Sequence, residues 1–236
     1  MEPLDFTRCR ALNTIPANKL TDIIASLQRN ASLTRENRTT KLIGVNRYAD
    51  SNIPIEYWFL NMDKDFTGDE RLKARYQTYI ANLDASYTAG QTICFAGGHG
   101  LGKTFTSTAI LKKAAQKGFS CLYTTFSDIV SVLTQGSSED KFAARRELVM
   151  VDFLAIDEVD NRFFKASDAA NETFARTLEF VLRSRLQNKL PTLMATNSPQ
   201  IKETFVSHFK DSLGSLMNKV EMFVIMPGND FRKEAK

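Results

Sequence analysis

The spacing of apolar positions changes character along this chain, and each change predicts an element. Leu20, Ile23, Ile24 and Leu27 recur at i, i+3, i+4 and i+7, which predicts one short amphipathic helix. The stretch from Arg29 to Lys41 is polar and basic without period and reads as a linker. A lone helix cannot bury its own apolar face, so this one has to dock either on the main domain or on a partner. A second helical pattern runs through Leu72, Tyr76, Tyr79, Ile80 and Leu83, within an aromatic-rich region from 53 to 90. From there short apolar runs alternate with helical segments. The runs at 92–97, 120–126, 151–157, 191–197 and 222–226 are those of buried parallel strands. Among the intervening helices the clearest has Phe174, Leu178, Val181, Leu182 and Leu186 on one face. The alternation predicts an α/β fold, a parallel sheet flanked by helices, spanning 51–236 and preceded by a small helical appendage at 1–50.

Composition adds bounds. With 236 residues, one sizeable domain and a small appendage are the expectation. No apolar run approaches the roughly 20 residues of a membrane-spanning helix. The first residues lack the basic start and apolar stretch of a secretory signal, so no membrane role and a cytoplasmic location are expected. Cys9, Cys94 and Cys121 lie far apart, two of them inside strand-like runs, a spacing that argues against a disulfide or zinc site. The net charge of +4 neither requires nor excludes a nucleic-acid partner.

Candidate chemistry is concentrated at strand ends. Gly97-Gly98-His99-Gly100-Leu101-Gly102-Lys103-Thr104 fits GxxxxGK[ST], follows a predicted strand and opens a predicted helix, with Phe105 next in that helix. Glycines let backbone N–H groups converge on phosphates, and the helix N-terminus adds partial positive charge. Lys103 is then expected on the β- and γ-phosphates of ATP and Thr104 on Mg²⁺. His99 falls at a variable position of the motif and reads as a loop residue. The run from Phe153 to Ile156 ends in Asp157 and Glu158. Asp157 is the expected metal-side acid and Glu158 the candidate base for an attacking water; without the upstream loop the pair would read as a charged turn. Asn197, at the end of the fourth strand, offers an amide to the γ-phosphate or the water.

The strand at 120–126 together with the glutamate after the aspartate resembles the additional-strand, catalytic-glutamate branch of P-loop proteins, and Asn197 resembles the first sensor of AAA+ ATPases. More narrowly, PTLMATN (191–197), TTFSDIVSVL (124–133) and GNDFRK (228–233) resemble segments of the DnaC/DnaI/IstB group of AAA+ proteins, the bacterial and phage helicase loaders and their transposition relatives. The resemblance covers roughly residues 53 to 236 and implies several things. Arg232 would be the second sensor. Ser127 to Glu147 would form inserted helices whose Lys141, Arg145 and Arg146 track the phosphates of single-stranded DNA, although a charged helix face is ordinarily just solvated. ATP binding would bring copies or partners into an oligomer or mixed assembly, and residues 1–50 would engage a replicative DNA helicase. Two other functions fit the same motifs: an IstB-like transposition helper, and a nucleotide-gated adaptor with little turnover. One departure stands out. The group carries a trans-acting arginine where this chain reads from Asp211 to Lys219 without any arginine. Lys219, Arg185 or a partner's arginine would have to substitute, and slow intrinsic hydrolysis is expected.

Overall fold

The computed structural model describes residues 46–159, 168–198, 200 and 219–224. Its centre is a five-stranded parallel sheet: β1 (Ile93–Ala96), β2 (Cys121–Thr125), β3 (Phe153–Asp157), β4 (Thr192–Thr196) and β5 (Glu221–Val224). The order across the sheet is β2-β3-β4-β1-β5. The strand at 120–126, read from sequence as the additional one, is β2 at the edge of the sheet beside β3, and it is β4 that lies between β1 and the Asp157 strand β3, an order that sequence succession alone does not reveal. Each of the first four runs holds its strand, trimmed by one or two residues at one or both ends, and β5 begins one residue ahead of the fifth run, at Glu221.

Two cores lie on the two faces of the sheet, and the period-2 geometry of a strand decides which residue joins which. Ile93 and Phe95 of β1 pack on one side, with Phe153 and Ala155 of β3. Cys94 and Ala96, with Leu154 and Ile156, pack on the other. Both faces are covered, so alternation is invisible in hydropathy although present in space. The first face is covered by α1 (Glu70–Ala81), α2 (Leu83–Ala89) and α3 (Lys103–Lys117), through Leu72, Tyr76, Tyr79, Leu83, Ile110 and Leu111. The second is covered by α4 (Phe126–Gln135), α5 (Ser138–Met150) and α6 (Asp168–Gln187), through Phe126, Ile129, Leu148, Leu178, Val181 and Leu182.

Local chemistry explains the boundaries. Asp69 caps α1 by accepting from the Arg71 N–H at 2.7 Å. Thr125 caps α4 through the Asp128 N–H, and Ser137 with Asp140 forms a reciprocal capping box on α5. The box matters for α5, where Leu148 is the one side chain fully buried in a largely charged helix. The short helical turn at 46–50, the last part of the expected appendage, packs on the first core. Tyr48 is buried there, and the Arg47 guanidinium donates to the carbonyls of Ala115 and Gln116, both at 2.8 Å. The amphipathic stretch at 20–27 lies outside the described residues. Among the described residues no helix is long and apolar enough to cross a membrane.

Candidate nucleotide site

Parallel strands in one sheet bring all their C-terminal ends to one edge, and a doubly wound sheet binds ligands there. The register sets the alignment here. Ala96 lies opposite Thr196 and Ile156 opposite Met194, so the chain leaves β1 and β4 for Gly97 and Asn197 at one level, with Glu158 at the end of β3 one residue below it. The Gly97 N–H donates to the Thr196 carbonyl at 3.2 Å, tying the start of the loop to the strand that carries Asn197.

The loop itself needs its glycines at two points. Gly100 and Gly102 hold φ of 73° and 81°, left-handed values that other residues rarely adopt. A Cβ on Gly102 would also fall 2.5 Å from the Phe66 ring. The loop then turns directly into α3, whose first residues Lys103 to Phe105 line the cavity, at the end of a helix where N–H groups and partial positive charge favour an anion. Lys103 is buried, and its ammonium donates to the carbonyls of Gly97 (2.9 Å) and Gly98 (2.6 Å), so its charge is held over the cradle.

Thr104 Oγ donates to Asp157 Oδ2 at 2.7 Å, joining two motifs 53 residues apart. A second donor reaches the same oxygen: the Tyr123 hydroxyl at 2.8 Å from β2. Burial, followed by the charge of Asp157, pushes the Tyr123 pKa well above the ordinary tyrosine range, so the hydroxyl keeps its proton and remains a donor. Asp157 is buried, while Glu158 beside it is exposed and held at φ 56°. A positive φ at a non-glycine residue is uncommon and costs on the order of 1 kcal/mol or more. Here the Glu158 N–H donates to Asp157 Oδ1 at 2.7 Å, so the turn sends two consecutive carboxylates to different places.

The resulting pocket, about 410 Å³, is lined by His99 to Phe105, Asp157, Glu158 and Asn197 on one side. On the other side stand Tyr57, Leu60 and the residues from Asp65 to Gly68. The expected loop, acid pair and sensor asparagine thus converge on one cavity; Gly97 and Gly98 sit at its edge through their carbonyl contacts with Lys103. Among the described residues no cluster of three His, Cys, Asp or Glu side chains could hold a metal unaided. A cation bound here would need phosphate oxygens as co-ligands, which suits the sparse protein ligation of Mg²⁺.

The sequence reading missed two parts of this site. Tyr123 hides inside an apolar run, and its partner lies 34 residues away. The wall at 57–68 precedes the motifs and carries none of its own, its signal being the aromatic density at Tyr57, Trp58, Phe59 and Phe66.

The remaining expectations fall elsewhere. Arg185 is wholly buried on α6 and cannot serve a neighbouring subunit. Its guanidinium donates to the carbonyls of Leu148, Val151, Asp152 and Pro191 and to Thr192 Oγ, at 2.7 to 3.1 Å. That proposed substitute for the missing finger is therefore corrected: helical periodicity shows that Arg185 shares a helix with apolar neighbours but not that five acceptors surround it. Lys219 is exposed and lines a groove with Arg75, Asn82 and Gln91, at the start of β5 and thus at the end of the sheet opposite the P-loop. Lys141, Arg145 and Arg146 lie on α5, beside Phe142, which is 71% exposed. The Arg145 guanidinium stands 5.6 Å from the centre of the Phe180 ring. Arg232 and residues 211–218 lie outside the described residues.

Comparison with known proteins follows the same lines. The family model described as IstB-like ATP binding protein matches residues 21–207. The replicative helicase loader DnaC of Escherichia coli strain K12 is 27% identical over 180 residues, covering 72% of this chain and 67% of that protein. A crystal structure of the DnaC helicase loader superposes with a TM-score of 0.59 at 20% identity, over 73% of this chain and 99% of that one. The replication initiator DnaA bound to AMPPCP and single-stranded DNA gives a TM-score of 0.59 at 18% identity, over 78% of this chain. The match spans only 55% of that DnaA chain. At these identities the two superpositions establish the fold.

Proposed function

From the premise that this chain belongs to the IstB-like ATP-binding family and has the AAA+ fold, we propose that it is an ATP-hydrolysing loader of a replicative DNA helicase. The observation that carries the ATP chemistry is the Thr104–Asp157 hydrogen bond at the mouth of the glycine loop, with Glu158 lining the same pocket beside it. In this reading Lys103 and the α3 N-terminus hold the β- and γ-phosphates. The apolar wall at Tyr57, Leu60 and Phe66 takes the base. Thr104 and Asp157 hold Mg²⁺, which when bound neutralises phosphate charge. Glu158 accepts a proton from the attacking water, and Asn197 orients that water against the γ-phosphate.

The loader role is supported by the DnaC relative, which matches along most of both chains. Residues 1–50 are assigned to the helicase. The exposed Phe142 among Lys141, Arg145 and Arg146 has the aromatic and basic character that binds single-stranded DNA. Without an arginine between Asp211 and Lys219, and with Arg185 locked inside, turnover alone is slow and an arginine comes from a partner. A trans arginine is worth roughly 10³–10⁵ in rate.

Turnover measured alone, with the cognate helicase and with single-stranded DNA tests this reading. Glu158→Gln is expected to abolish turnover while ATP still binds. An ATP-sensitive complex with the helicase is expected, and no such complex under any nucleotide condition would sink the loader role. The family model also favours a second reading, an IstB-like transposition helper. Salt-dependent binding of duplex DNA with indifference to helicase would select it.

A further inference from the structure

A buried cation stands outside the chemistry described so far. Lys112 lies about two and a half turns into α3 from the phosphate end and is 7% exposed. A lysine is seldom buried without compensation. Here the compensation is main chain: its ammonium donates to the carbonyls of Tyr57 and Leu60, both at 2.5 Å. Tyr57 ends the short 3₁₀ turn at Ile55–Tyr57, and the Leu60 N–H donates to the Tyr57 carbonyl at 3.3 Å, so the backbone holds the two acceptors together.

Both acceptor residues line the nucleotide pocket. The helix that opens with Lys103 and Thr104 at the phosphates thus also grips the opposite wall. Nine residues separate Lys103 from Lys112, about 13–14 Å along the axis, a span comparable to an extended nucleoside triphosphate. Aromatic contacts between the same parts support the grip. Phe105 meets Tyr57 edge-on at 6.3 Å and Phe66 at 5.6 Å between ring centres. Such contacts are apolar and tolerate sliding; two charge-assisted hydrogen bonds to fixed carbonyls fix the position.

We propose that Lys112 is a positioning residue of the nucleotide pocket, clamping residues 57–60 at the separation from the P-loop at which the base and ribose of a nucleoside triphosphate are held. The proposal rests on the reading of this pocket as an ATP site. It separates two contributions to affinity: the phosphate grip, independent of the clamp, and the base-and-ribose grip, dependent on it.

The test uses the full chain as wild type, Lys112→Met and Lys112→Arg, with ATP and inorganic tripolyphosphate as probes in competition with a fluorescent ATP analogue. Lys112→Met keeps the apolar stem and removes the donors. It is expected to weaken ATP about tenfold or more while tripolyphosphate stays within about twofold. Lys112→Arg, which keeps a charged donor, is expected to recover most of the ATP affinity. Amide hydrogen exchange of the free proteins should quicken at 57–60 in Lys112→Met and stay unchanged in β1 and β3. Should Lys112→Met fail to fold, the wild type decides by itself: ATP is expected to slow exchange at 57–60, and tripolyphosphate is not. Unchanged ATP affinity, parallel loss of both probes, faster exchange in β1 and β3, or equal slowing by both probes would each overturn the clamp. Wild type that binds neither probe would instead refute the ATP reading, and the exchange of the free proteins would still judge whether Lys112 holds the wall.

Discussion

Single side chains do their work here through partners far away in sequence. Tyr123 and Thr104 share one oxygen of Asp157, so removing one hydroxyl leaves the other to hold the carboxylate. Tyr123→Phe is expected to cost roughly 1.5–3 kcal/mol, the value of a hydrogen bond to a charged group, in urea unfolding. It should also raise the Mg²⁺ concentration needed for half-maximal turnover, leaving ATP binding in EDTA unchanged. Lys112 carries a pH signature. Burial, with Lys113 adding to it and Asp65 opposing it, lowers its pKa from 10.5 to about 8. Between those values the unfolded chain binds the proton more readily than the folded one, so stability rises with pH across that window. Below about 8 both states are protonated and the cost of burying the charge is felt in full. Thermal melts of wild type and Lys112→Met should therefore diverge in favour of wild type as pH rises from about 8 to 10.5.

Elements are coupled in two ways. Helix α3 is a rigid rod joining the phosphate cradle to the 57–60 wall. Arg185 is a node, binding the end of α5, the starts of β3 and β4, and α6. Burial lowers its pKa to about 10, with Asp152 pulling the other way, so it stays charged at neutral pH. Replacing it by Met would strand several buried acceptors, each worth about 1–3 kcal/mol. Lys would answer only some of them, lacking the planar fork. Arg185→Met is expected to lose more than about 3 kcal/mol in denaturant titration. The protein that remains folded should bind ATP normally. A selective loss of turnover in mixed assemblies, with stability intact, would instead restore Arg185 as a finger.

For the molecule as a whole, the docked turn at 46–50 decides where the N-terminal segment can be removed. Tyr48 is buried and bonded to Gln116, and Arg47 holds the end of α3. A chain lacking residues 1–44 should keep the melting temperature of the full chain and lose the helicase complex. One lacking 1–50 should melt several degrees lower, since burying a large side chain contributes about 2 kcal/mol and 1 kcal/mol shifts Tm by a few degrees. Equal melting of both would show that the turn contributes nothing.

How much of this was legible in sequence follows from the range of the interactions. The five strands, the amphipathic helices that run through Leu72 to Tyr79 and Phe174 to Leu186, and the glycine loop with its Lys103 and Thr104 are local, written in period and spacing, because backbone geometry repeats over two or 3.6 residues whatever the surroundings. Asp157, Glu158 and Asn197 could be named because strand ends in a parallel sheet share one edge by topology. What sequence could not settle are pairings across long loops, which depend on the sheet order and on which face each residue meets. Tertiary structure alone set Tyr123 on Asp157, Lys112 on the far wall, and Arg185 inside the core rather than at a subunit boundary. In the last case charge suggested exposure, and five fixed acceptors, supplied by two stretches at 148–152 and 191–192, made burial possible.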